Sequence, residues 1–132
     1  MIRLLIFCIL LTGCYCKPYE KGLNKAVKDF ESTRLDKTIR KLTELDACYP
    51  EKKQHHFYLG LIHYQKNEYE TAIKHFLIGG FLEKQTEADW YVANAFIALN
   101  QRSKAREILK LLAEKESDFQ KKAKELLSEI RD

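Results

Sequence analysis

The sequence predicts an all-α fold of about three stacked helical hairpins closed by one further helix. Composition is the first observation: only two Pro and five Gly interrupt 132 residues rich in Leu, Lys and Glu. A sandwich of short strands would need many more turn residues. Periodicity is the second. From Tyr19 onward the chain reads as almost continuous amphipathic helix, and its apolar and small positions recur with a period of about 34 residues. The hydrophobic fraction of 45% and the charged fraction of 32% suit a soluble helical chain, and the length leads one to expect a single core.

The first residues read differently. Arg3 precedes an unbroken apolar run from Leu4 to Leu11, far short of the roughly 20 apolar residues that span a bilayer. Such a stretch reads as a secretory signal. Leu11, Thr12, Gly13 and Cys14 follow it directly and resemble the lipobox of bacterial lipoproteins. The resemblance implies that residues 1–13 are removed and that the Cys14 thiol carries a diacylglycerol, leaving 14–18 as a lipidated leader. Two or three acyl chains hold a protein stably at a membrane, because each buried methylene contributes about 0.8 kcal/mol. An ordinary cleaved secretory signal is the alternative, although no Ala-x-Ala-like site is present.

The first repeat unit spans about residues 19–52. Leu23, Ala26, Val27 and Phe30 form the apolar stripe of its first helix; Ile39, Leu42 and Leu45 form that of its second. The second unit, about 53–85, carries Phe57, Gly60, Leu61 and Tyr64, then Ala72, Ile73, Phe76 and Gly79. The third, about 86–118, carries Trp90, Ala93, Asn94 and Ile97, then Ala105, Leu109 and Leu112. Half a unit remains over 119–131, with Ala123, Leu126, Leu127 and Ile130, as expected of a helix that caps the stack with a polar outer face.

The second unit resembles a tetratricopeptide repeat through Leu59-Gly60, Tyr64, Asn67, Tyr69, Ala72 and Phe76. The spacing has a physical sense. Small residues at Ala26, Gly60 and Ala93 let the paired helices approach, Ala72 and Ala105 offer an equally small face, and Leu42, Phe76 and Leu109 fill the gap to the next hairpin. Thr38 departs from the usual Ala, and the third unit lacks a closing Pro such as Pro50. The stretch Trp90–Leu112 also looks like repeats of membrane-tethered proteins of the Bacteroidetes type. The resemblance covers roughly residues 19–131. It implies a short right-handed superhelix whose first helices line a groove that holds peptides, with Leu23, Val27, Phe57, Leu61, Tyr64, Trp90 and Asn94 on the groove side. Leu61 and Tyr64 are expected in the core. Phe57, Tyr58, Trp90, Tyr91 and Asn94 are the candidate partner-binding residues, the aromatics as interface anchors.

Cysteine usage leaves Cys16 and Cys48 as the candidates for a disulfide in an oxidising compartment, since Cys8 falls in the signal and Cys14 in the lipobox. Two unpaired thiols is the preferred reading. The four histidines, His55, His56, His63 and His75, lack a ligand spacing. His56 and His63 stand two turns apart, about 10 Å along a helix axis, His55 and His56 point to different faces, and His75 belongs to the next helix. No metal and no cofactor is expected from them.

Nothing in the sequence suggests an enzyme. There is no Gly-x-Ser-x-Gly and no phosphate-cradling glycine loop. Gly79-Gly80 falls where a helix should end, and Glu68 and Glu70 are expected in a solvated turn. Lys and Arg alternate with Asp and Glu, and the net charge falls only from +4 to +3 without residues 1–13, so nucleic-acid binding is not expected. The expectation is therefore a membrane-anchored lipoprotein of the bacterial envelope facing the periplasm, the outer membrane being favoured. It acts as a non-catalytic adaptor for a protein or peptide partner. A soluble secreted or periplasmic domain assisting envelope assembly is the alternative, and a metal- or ligand-binding helical domain is a third reading of another class.

Overall fold

The computed structural model describes residues 16–80 and 83–130, so Cys14 and the signal lie outside the described residues. Among those described there are seven α-helices and no strand: α1 Tyr19–Glu31, α2 Leu35–Cys48, α3 Gln54–Gln65, α4 Tyr69–Gly79, α5 Gln85–Ala98, α6 Arg102–Glu114 and α7 Gln120–Glu129. None of the described helices is long and apolar enough to cross a membrane.

Helices pack pairwise in chain order, α1 on α2, α3 on α4, α5 on α6 and α6 on α7. The second helix of each hairpin buries the same three positions, at i, i+4 and i+7. These are Thr38, Leu42 and Leu45 in α2, Ala72, Phe76 and Gly79 in α4, and Ala105, Leu109 and Leu112 in α6. This spacing aligns one stripe along a helix, which is why each second helix docks on its partner with a single face. Thr38 fills the place of an Ala because its hydroxyl donates to the Arg34 carbonyl at 3.0 Å, so the buried oxygen keeps a partner.

The turns inside the hairpins repeat in atomic detail. Among the described residues, Thr33, Asn67 and Asn100 are the non-glycine residues of positive φ, at 57°, 59° and 57°, and lie 34 and 33 residues apart. Each N–H bonds a carbonyl three residues back, and the N–H of the following residue bonds five back: Arg34 to Asp29, Glu68 to His63, Gln101 to Phe96, at 3.0, 2.9 and 2.8 Å. This closes a helix end through a left-handed residue.

The single core expected from chain length is corrected. The chain forms two compact units, one ending at Pro50 and one beginning at Glu51. In the first, Tyr19, Leu23, Ala26, Leu42 and Leu45 are buried, and Asp29 ties the helices together. At 7% exposure it receives Arg34 Nη1 at 3.7 Å, Lys37 Nζ at 3.8 Å and Lys41 Nζ in direct hydrogen bond. That bond from Lys41, helped by the other cations against the cost of burial, holds the Asp29 carboxyl below its ordinary range. The second unit has two successive apolar clusters, one centred on Phe57, Phe76 and Val92, the next on Leu109, Leu112 and Ala123. A stack of hairpins builds its interior serially because each hairpin meets only its neighbours.

The unpaired-thiol expectation is also corrected: Cys16 and Cys48 form a disulfide, with Cα atoms 5.9 Å apart. The leader preceding α1 is thereby fastened to the end of α2. Tyr49 completes the fastening by donating its phenol to the Lys17 carbonyl at 2.7 Å and packing its ring edge-on to Tyr19.

Candidate functional site

The aromatic residues singled out in the sequence lie in the second unit, which brings two of them together and uses the others for support. Phe57 is a core residue at 1% exposure, packed edge-on against Phe76 at 5.8 Å. It supports the site from below and is not a surface contact. Tyr58 and Tyr91, expected to be exposed, are half-buried against the same cluster. Tyr91 lies parallel to Phe76, with ring centres 5.5 Å apart, and meets Tyr64 edge-on at 5.1 Å. Tyr64 in turn meets Tyr69 at 5.4 Å. Burial raises the phenol pKa of both Tyr64 and Tyr91, so each keeps its proton at neutral pH and presents a hydroxyl beside an apolar ring face.

An ion pair lies near both candidate tyrosines. Lys84 Nζ donates to Glu87 Oε2 at 3.0 Å and stands 5.5 Å from the Phe57 ring centre. The Glu87 bond raises the Lys84 pKa, and Tyr58 adds to the effect from nearby. Tyr91 feels both Glu87 and Lys84. Tyr58, Lys84, Glu87 and Tyr91 thus lie near one another, two phenols and a charge pair beside the aromatic cluster of Phe57 and Phe76. Such a surface can bury apolar side chains of a partner while offering hydrogen bonds at its rim.

Trp90 and Asn94 stand elsewhere. The Trp90 ring lies against Phe119, centres 5.7 Å apart, and packs on the cluster around Leu109, so it belongs to the seating of the last helix. Asn94 donates its amide to the Trp90 carbonyl at 2.8 Å within α5.

Sequence reasoning missed the histidines. The expectation that His55 and His56 face apart is corrected by ring centres 4.5 Å apart. His56 Nδ1 lies 2.9 Å from His75 Nδ1, and the His75 ring runs parallel to that of His63, centres 5.2 Å apart. All four histidines thus form one continuous series of rings across α3 and α4. At its far end His63 Nδ1 contacts Glu68, which also receives Lys66 Nζ at 3.4 Å. The His63 bond is the main cause that lowers the Glu68 pKa, so this glutamate is engaged rather than merely solvated. The signal that could have found the cluster is the spacing of His75 and Gly79, one turn apart on one face of α4. Gly79 has no Cβ because the α3 backbone at His56 and Phe57 occupies that space, and this close approach carries His75 to His56.

Comparison of the chain with family models, with curated proteins and with solved structures gives no match.

Proposed function

We propose that this protein is a membrane-anchored lipoprotein of the bacterial envelope whose tetratricopeptide-type hairpins act as a non-catalytic adaptor, holding a partner protein at the membrane. The observation that carries this reading is the thrice-repeated hairpin: the same left-handed turn at Thr33, Asn67 and Asn100 and the same buried i, i+4, i+7 stripe in each second helix. Repeats of this kind build extended surfaces for binding, and the kinship would bring with it the short right-handed superhelix. The surface of Tyr58, Lys84, Glu87 and Tyr91 is the part best suited to a partner.

The Cys16–Cys48 disulfide supports the compartment, because such bonds persist in oxidising spaces and are rare in the cytosol. The soluble secreted alternative differs at the Cys14 thiol. Intact-mass analysis of the protein from membranes of a bacterial host, beside Cys14→Ser, separates the two. The expected product begins at Cys14, carries the added mass of a diacylglycerol and loses it on substitution. A chain cut elsewhere, or bearing no lipid, would overturn the anchor.

A further inference from the structure

The His56–His75 contact has a geometry that general packing does not require. The two ring centres are 5.2 Å apart and the planes differ by 24°, while the two Nδ1 atoms are 2.9 Å apart. The centre-to-centre distance equals the nitrogen–nitrogen distance plus one ring radius at each end. The rings therefore meet head on, each aiming its Nδ1 at the other, instead of lying face to face. One Nδ1 carries a proton and the other accepts it, since a neutral imidazole has one N–H and one lone pair.

We infer that His56 Nδ1 and His75 Nδ1 form a two-imidazole clamp for a late first-row divalent cation of the zinc, nickel or copper class, bridging α3 and α4. Two nitrogens bound to one zinc at about 2.0–2.1 Å in tetrahedral geometry stand about 3.3 Å apart, so binding requires the two nitrogens to part by a few tenths of an ångström and each ring to turn by about 35° off the line that joins them, aiming its lone pair at the ion. Imidazole is the ligand type these cations prefer, whereas magnesium and calcium take oxygen ligands. Both rings are half-buried, which leaves room for water to complete the coordination.

Protons balance without an added reagent. The proton between the two Nδ1 atoms passes through solvent to Nε2 of the ring that carried it, so both rings bind as neutral imidazoles and the step conserves protons. In acid, protons occupy both nitrogens and compete with the cation. Preorganisation comes from Gly79, whose missing side chain lets the α4 backbone approach α3 beside His56. His63 is a neighbour and not a ligand: its ring lies parallel to His75 and its Nδ1 is taken by Glu68.

The test uses the full chain with Cys8→Ser and Cys14→Ser, its disulfide intact, so that no free thiol meets the metal. Calorimetric titration with zinc chloride should give one saturable site per chain, weakened in acid. His56→Gln and His75→Gln should each lower the affinity at least about tenfold, whereas His63→Gln should change it by less than about twofold. Should a substitution unfold the chain, copper(II) paramagnetic resonance on the protein with all four histidines decides, the expected spectrum showing two equatorial imidazole nitrogens. No saturable binding, binding that survives His75→Gln in a folded chain, or a copper spectrum without two imidazoles would overturn the clamp.

Discussion

Thr33 is the residue at which the repeat is least comfortable. Its φ of 57° is a region β-branched side chains rarely occupy, whereas Asn67 and Asn100 hold the equivalent turns with the non-glycine residue best suited to them. Thr33→Asn should therefore raise stability by about 0.5–1 kcal/mol, and Asn67→Thr should lower it by about 1–2 kcal/mol. Denaturant unfolding of the two variants checks both signs. Asp29 carries the second prediction at this scale. Its lowered pKa means that the three cations around it stabilise the fold fully above the ordinary carboxylate value of 3.8 and lose that contribution as pH falls through the lower folded value. The stability gap between the unaltered chain and Asp29→Asn should be widest near neutral pH and should close in acid. A gap unchanged down to about pH 2 would contradict the assigned role.

Among the elements, α3 and α4 form the closest pair, and glycine makes it so. A Cβ on Gly60 would lie 2.7 Å from the Phe76 ring, which is itself buried, and one on Gly79 would meet the α3 backbone at the His56 carbonyl carbon, 2.7 Å away. Backbone cannot move aside as a side chain can. Gly79→Ala should cost about 1–3 kcal/mol despite the better helix propensity of Ala, whereas Ala at an exposed site of the same helix, such as Lys74→Ala, should change stability by less than about 0.5 kcal/mol. Thermal unfolding of both separates packing from propensity. The second helices were the most legible elements in the sequence, because Thr38, Leu42, Leu45 and their counterparts form single stripes that periodicity detects. In α3 and α5 the apolar residues lie on several sides, with Phe57, Leu59, Gly60 and Ile62 buried in α3 and Ala88, Val92, Ala93 and Ala95 in α5. A helix enclosed on several sides has no single stripe. Nothing in its pattern separates a core aromatic such as Phe57 from a rim aromatic such as Tyr58 or Tyr91.

At the scale of the whole molecule, the positions missed by sequence reasoning share one cause. Cys16 and Cys48 are 32 residues apart, and His56 and His75 are 19 apart, so neither pair is visible within a single helix. Both are set by how one element is laid beside another. Repeat arithmetic registers which residues are equivalent from hairpin to hairpin; it says nothing of which residues meet across a hairpin. The candidate surface is likewise a product of packing, since Lys84 and Glu87 had no sequence signal and matter because they lie near Tyr58 and Tyr91. The central claim is that this surface receives a protein partner. Its most direct test places a photo-crosslinking amino acid at position 58, 91 or 110 of the otherwise unaltered protein in its native host cell, Lys110 being exposed on α6. The account predicts one and the same partner protein crosslinked from positions 58 and 91 and none from 110; adducts of equal yield from all three, or from 110 alone, would contradict it.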